Sequence, residues 1–475
     1  MVFNSLQYLV FFPLVFAVYW QLKRRGQNVL LLLASWFFYA MWDWRFLGLM
    51  LLTTGVDFGV GRYLAMTEDE KKRKLAFGLS LGLNLTVLGF FKYFNFFVGS
   101  AADLLQTFGL DASEPTLRVL LPVGISFYTF HGISYTFDVF RRDIEPADDL
   151  LDFAVFVAFF PQLVAGPIGR AHLQLPQFEH ERPPLRWEQA RSGLCLILLG
   201  LFKKVAIADA LAPFVDRTFT EPGRASWISL LGGAYAFALQ IYGDFAGYSD
   251  VARGSSRLLG IELPLNFEQP YLSRNITAFW RTWHISLSNW LRDYLYIPLG
   301  GNRGSRAKTY RNLMLTMVLG GLWHGAAWTF VAWGTLNGLY LCAHRWFTER
   351  PGGAGDAHNG IGRFTWRDVL PAIGTFQLVV FAWIFFRSAS FAEAFDVITG
   401  ILTLQGGVTE WGSLFLVGAL GVVTIAIDIA QRNTDTHTPM LDLPPALQGA
   451  LYGAFVVAIV LFSGGATVPF IYFQF

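Results

Sequence analysis

In the stretch GGLWHGAAWTF, residues 320–330, one histidine stands among Gly, Ala, Leu, Trp and Phe. Burying an imidazole in such company costs free energy unless a partner satisfies it. On a helix, His324 has Gly320 and Gly321 one turn before it and Ala327 and Trp328 one turn after, so no intrahelical neighbour bonds the ring. The ring needs water, a distant side chain or a substrate. An ionisable group at membrane depth is a functional candidate by default, and imidazole is the side chain best suited to taking a proton near neutral pH. A satisfied packing histidine is the competing reading.

A second histidine lies upstream in WRTWHISLSNWLRDYLY, residues 280–296. Trp280, Trp283, Leu287, Trp290 and Tyr294 recur at helical spacing, so the pattern predicts one helix over 276–296 with a single apolar stripe. Arg281, His284, Ser288 and Arg292 recur at similar spacing and form a second, polar stripe, which puts His284 on a wet face. From Arg253 to Arg311 there are nine Lys or Arg and three Asp or Glu. This basic, aromatic-rich stretch suits positive-inside bias and lipid headgroups. It equally suits an anionic cytoplasmic ligand such as a phosphorylated cofactor, for which Arg281, Ser288 and Arg292 are the candidate contacts.

Other polar groups carry less. Asp57, Asp138, Asp209, Asp244 and Asp428 fall in or near apolar segments, where each suits a helix break or an arginine partner. His131 in YTFHGISYTFD has nothing around it that suggests chemistry. Cys195 and Cys342 sit in apolar stretches and read as small hydrophobes. The sequence has no Gly-rich phosphate loop, metal-ligand cluster or nucleophile elbow.

The elements that position these groups belong to a membrane. Of the 475 residues, 54% are hydrophobic and 15% charged, against roughly 25% charged in soluble domains; the mean hydropathy is +0.42. A net charge of +2 gives no reason to expect nucleic acid. Apolar segments fall near 3–20, 28–44, 46–65, 75–98, 117–140, 151–166, 190–215, 227–247, 276–298, 312–346, 368–386, 411–430 and 447–464. In lipid the backbone must satisfy itself, so the spans are expected to be helices in an all-α polytopic protein. LDFAVFVAFFPQLVAG, 151–166, is short and ends in Pro and Gly, which suits a re-entrant piece. The 310–347 run is nearly twice one span, and Gly320–Gly321 is the expected interruption.

Lysine and arginine clusters at 23–25, 71–74 and 141–142 follow the first, third and fifth segments. That places the first residues outside and those loops in the cytoplasm. The acidic 99–116 and 387–410 loops then lie outside, the 347–367 loop inside, and PFIYFQF outside. No soluble domain or internal repeat is apparent, so residues 1–475 read as one domain. The first apolar run lacks a basic n-region and reads as a retained span rather than a signal peptide. A proton-coupled transporter is the rival class, but the two halves show no paired broken segments.

WRTWHISLSNWLRDYLYIPLGGNR followed by GGLWHGAAWTFVAWG strongly resembles the membrane-bound O-acyltransferase family. FFPQLVAGPIGR, QIYGDFAGYSDVARG and PFIYFQF fit its bacterial polysaccharide O-acetylation branch. The resemblance covers nearly the whole chain. It implies a helical fold with re-entrant segments around a transmembrane tunnel, in the bacterial inner membrane. It implies a catalytic histidine at His324 and a second at His284, orienting the donor or stabilising charge. It further implies acetyl-CoA as donor, no metal, a polysaccharide such as alginate as acceptor, and a periplasmic SGNH-type partner that completes transfer. D-alanyl or another acyl group is the alternative within the family. By analogy with related exporters, Tyr472 in FIYFQF is an acyl relay candidate, beside the plainer reading of an interfacial aromatic anchor.

Overall fold

A computed structural model describes residues 1–110, 119–349, 361–464 and 470–471. It is all-helical, and among the described residues the only strand-like pairing is an isolated bridge between Ala225 and Val408. The chain forms two compact units: Met1–Ala190 with Ser255–Pro264, and Arg191–Gly254 with Leu265–Phe475.

In the first unit, caps start helices where the sequence turns apolar. The Ser5 hydroxyl accepts the Tyr8 amide ahead of Leu6–Tyr19, Asp69 caps Glu70–Leu88, and Asp149 caps Leu150–Ala158. Each cap satisfies an amide that the first helical turn leaves orphaned. The Leu150–Ala158 helix has nine residues and is too short to span a bilayer, which takes roughly 20 residues. It breaks at Phe159, and every residue from Asp152 to Gly169 is buried. Its freed backbone is met by protein: Ser35 Oγ accepts the Phe160 amide at 3.0 Å, and Gln162 Nε2 donates to Phe156 O at 2.8 Å. Buried irregular backbone of this kind persists where protein groups satisfy it. Asp57 takes hydrogen bonds from Ser80 and Asn84 rather than from an arginine. The Gly169 amide donates to His131 Nε2 at 3.2 Å, and the ring's Nδ1 meets Val157 O at 3.4 Å, so His131 is a satisfied packing residue.

Among the described residues, four helical stretches are long and apolar enough to cross a membrane: Glu70–Thr107, Trp366–Arg387, Trp411–Thr434 and Pro445–Phe462. The last shows most of its apolar side chains to the outside, Val460 and Leu461 among them, as a lipid-facing helix does.

The second unit is organised by Trp227–Leu258, a 32-residue helix lying in this unit up to Gly254. It packs against the helix Trp187–Phe202 with almost no space between backbones. A Cβ on Gly200 would come 2.5 Å from Gly247 O, and one on Gly247 2.6 Å from Gly200 O. Without a hydrophobic drive between spans, small residues let helices approach and gain dispersion contacts instead. Beyond Phe202 the chain winds into a π-helical stretch, Lys203–Asp209, a form concentrated at functional positions.

Residues 276–296 are not one helix. They form Ile276–Thr282 and Ile285–Leu291, separated at Trp283–His284, and then a π-helical turn, Arg292–Tyr296. The helical spacing of tryptophans persisted because both short helices bury apolar faces, but periodicity carries no mark of a one-residue reversal. Nor do Gly320 and Gly321 interrupt the later run. Both lie inside Arg306–His324; the break falls at Gly325–Ala327, and Trp328–Thr348 folds back. Gly321 serves that hairpin, since a Cβ there would meet Phe330 O at 2.3 Å and Gly334 Cα at 3.1 Å.

Candidate active site

His324 is the last residue of Arg306–His324, with Gly325 as its cap. His284 occupies the break between the two short helices, at φ 44° and ψ 54°. The helix end and the break bring the two imidazoles together: their ring centroids lie 6.0 Å apart. His284 is fully buried and His324 is 4% exposed. Aromatic rings enclose them. Trp323, Trp333 and Phe386 lie 5.1, 5.0 and 5.4 Å from His324. Phe245 meets His284 edge to face at 4.6 Å.

The left-handed backbone at His284 costs a non-glycine residue roughly 1–2 kcal/mol, so its surroundings must impose it. Asn266, itself fully buried, does so from an extended segment alongside. Its carbonyl accepts the Ile285 amide at 2.9 Å, its Oδ1 accepts the Ser286 hydroxyl at 2.9 Å, and its Nδ2 donates to Ser249 Oγ at 3.1 Å on the long helix. A second tie joins the Glu268 amide to Thr282 O at 2.9 Å. Strained backbone held by such bracing is a common feature of functional sites. Asn266→Ala removes the buried acceptor of the Ser286 hydroxyl and the donor to Ser249, so it is expected to destabilise the protein by about 1–3 kcal/mol, read as a lower melting temperature in detergent.

The four-residue polar stripe does not exist as such. His284 is buried while Arg281 and Arg292 are exposed, and Ser288 is half-buried with its hydroxyl on Trp283 O at 3.2 Å. Because the helix breaks at 283–284, the residues before and after it no longer share a face. Arg292 pairs with Asp293 at 2.6 Å. Tyr472 lies outside the described residues, whereas its neighbours Phe470 and Ile471 are both 3% exposed. Phe470 lies 6.2 Å from Phe245 and 4.8 Å from Tyr248.

Near the histidines the same unit buries a set of charges. Consecutive lysines of the π-helical stretch reach different acids: Lys203 pairs with Asp250 at 2.7 Å, and Lys204 with Asp209 at 2.6 Å and Asp244 at 2.8 Å. Tyr242 donates to Asp428 at 2.9 Å. Of the acids singled out in the sequence, where a helix break or an arginine partner was expected, Asp209 and Asp244 thus meet Lys204 and Asp428 accepts from Tyr242; Arg253 lies 3.8 Å from Asp250. Among the described residues no group of three or more His, Cys, Asp or Glu is placed to hold a metal ion.

The sequence singled out both histidines, which the structure brings together, but not the surrounding Asn266, Phe245, Trp383 and Phe386. Trp383 stacks on Trp333 at 5.6 Å, and Phe386 lies on both Trp333 and His324. In VFAWIFFR these rings look like any apolar span. Asn266 in ELPLNFEQP had one available signal, a lone amide in a Pro-flanked extended stretch before the aromatic motif.

The second unit thus encloses two imidazoles, side chains able to move a proton, within a wall of aromatic rings. Residues 122–350 match the model of MBOAT, the membrane-bound O-acyltransferase family. The chain is 42% identical over 418 residues to the probable alginate O-acetylase AlgI of Azotobacter vinelandii, covering 86% of this chain and 79% of the relative. It is 38% identical to the protein of that name from Pseudomonas putida, over the full length of both. It is 36% identical to the peptidoglycan O-acetyltransferase of Helicobacter pylori, covering 86% of this chain and 80% of the relative. The chain belongs to the membrane-bound O-acyltransferase family and is a multi-pass membrane protein.

Proposed function

We propose that this O-acyltransferase takes acetyl from cytoplasmic acetyl-CoA and moves it across the inner membrane for O-acetylation of an exported polysaccharide, alginate or a similar glycan. A periplasmic SGNH-type partner completes transfer to the sugar. The first and last residues then lie on the periplasmic side, as the positions of the basic clusters suggest. The observation that carries the chemistry is the buried His284–His324 pair, 6.0 Å between centroids, in a chain of this family. The names of the similar alginate and peptidoglycan O-acetylating proteins support acetyl and glycan.

In the proposed step, His324 takes the proton of an acceptor hydroxyl as its oxygen attacks the thioester carbonyl. The C–O bond forms, the C–S bond breaks, and the proton passes on to the departing CoA thiolate. General base catalysis of this kind contributes roughly 10²–10⁴-fold. His284 orients the donor or stabilises developing charge, with Arg281, Ser288 and Arg292 as candidate contacts for the CoA phosphates. The surrounding rings exclude water, which limits hydrolysis.

Purified protein in nanodiscs, offered radiolabelled acetyl-CoA or a D-alanyl carrier thioester, distinguishes the acyl groups: label moving only from acetyl-CoA supports the reading, and transfer of D-alanyl alone refutes it. We further propose Tyr472 as first acceptor. Intact-mass spectrometry during turnover is expected to show one added acetyl group on the wild type and none on Tyr472→Phe. An unmodified wild-type chain at full turnover leaves Tyr472 as an interfacial anchor.

A further inference from the structure

We propose that Asp244 is a positioning residue: it anchors the Phe470–Ile471 segment against the aromatic wall of the histidine pair, and this seating sets the rate of acyl transfer. The functional half of this inference rests on the reading above; the docking itself does not.

Asp244 is 3% exposed, and its two oxygens have different partners. Oδ1 meets Lys204 Nζ at 2.8 Å, and Oδ2 accepts the Ile471 amide at 2.6 Å from a residue far along the chain. Lys204 is shared with Asp209, so with both acids ionised the trio holds two carboxylates against one ammonium. Such a site carries surplus negative charge, and a backbone N–H is the kind of donor that satisfies it without adding a charge. The π-helical stretch brings Lys204 and Asp209 to this place together.

The segment so anchored reaches the site by a short route. Asp244, Phe245 and Tyr248 lie on one helix, Phe470 packs on both rings, and Phe245 lies edge-on to His284. Loss of the anchor therefore releases the ring that backs Phe245, and Phe245 backs His284. Displacement of a reacting group by about 1 Å is worth up to roughly 10²-fold in rate.

The test uses the full-length protein in nanodiscs. Ile471→Pro removes the donated N–H without touching Asp244, Asp244→Ala removes the acceptor, and Asp244→Asn keeps an oxygen for the amide while losing the charge facing Lys204. The proposal expects Ile471→Pro and Asp244→Ala each to lower kcat about tenfold or more, with KM for acetyl-CoA within about twofold. The double variant is expected to be no slower than Asp244→Ala, because that variant has already lost the Ile471 amide contact. Asp244→Asn recovers most of the rate. Wild-type turnover by Ile471→Pro, additive losses in the double variant, or Asp244→Asn as slow as Asp244→Ala each overturns it, the last by reducing Asp244 to a partner of Lys204. Hydrogen exchange by mass spectrometry, read on the peptide spanning 463–475, follows docking separately. Faster exchange in Asp244→Ala is expected even if the wild type proves to transfer no acetyl, and unchanged exchange refutes the anchor.

Discussion

Alanine at position 324 lowers acetyl transfer by about 10²–10⁴-fold, the usual worth of a general base, while the protein remains folded. The side chain lies at a helix terminus between Trp323, Trp333 and Phe386, so its removal leaves a ring-sized gap but breaks no helix. The stability cost expected for a buried side chain is about 1–3 kcal/mol, which a melting curve registers as a modest shift. The kinetic signature separates chemistry from binding. A base acts in the transition state alone, so kcat falls and KM for acetyl-CoA changes little. A packing histidine gives the opposite pattern, a large melting shift with activity falling only in proportion to the unfolded fraction. His324→Gln sharpens the comparison, because glutamine fills part of the volume and hydrogen-bonds without serving as a base near neutral pH.

The second large effect concerns two adjacent glycines. A Cβ at Gly320 meets only the flexible Leu291 Cδ1, at 3.2 Å, whereas one at Gly321 meets Phe330 O at 2.3 Å and the Gly334 backbone at 3.1 Å. Gly320→Ala is therefore expected to melt within a degree or two of wild type, or above it, since alanine favours helix by about 1 kcal/mol over glycine. Gly321→Ala must push apart the helices Arg306–His324 and Trp328–Thr348, at an overpacking cost of about 1–3 kcal/mol, and it does so one turn from His324. It is expected to lose both folded yield and transfer activity. Equal behaviour of the two variants in a thermal-shift series refutes the close-packed hairpin.

These glycines show where the sequence was legible. That the long run from Tyr310 to Phe347 must turn followed from length; that His324 lies beside the turn was read from the two glycines before it. Where it turns did not, because the two glycines that resemble a break serve interhelical contact, and the break is made by Gly325–Ala327. His284 illustrates the same limit. Its importance was readable from its motif, but its place on a polar stripe was not, because a single left-handed residue rotates everything after it onto another face. The aromatic shell was illegible for a different reason: Phe386 approaches His324, and Trp383 approaches its neighbour Trp333, only through tertiary packing, and an apolar span looks alike on all its faces. The pairing of Asp244 with both Lys204 and the Ile471 amide joins three distant segments, for which one sequence offers no periodicity to read.

The central claim is that His324 performs the chemistry of a thioester-consuming enzyme. Its most direct test is the rate of acetyl-CoA consumption by protein in nanodiscs, wild type beside His324→Ala, with folding checked in the same samples. The account predicts label transferred by the wild type to protein or acceptor, and a loss of about 10²-fold or more in the variant. A folded His324→Ala protein that consumes acetyl-CoA at the wild-type rate contradicts it.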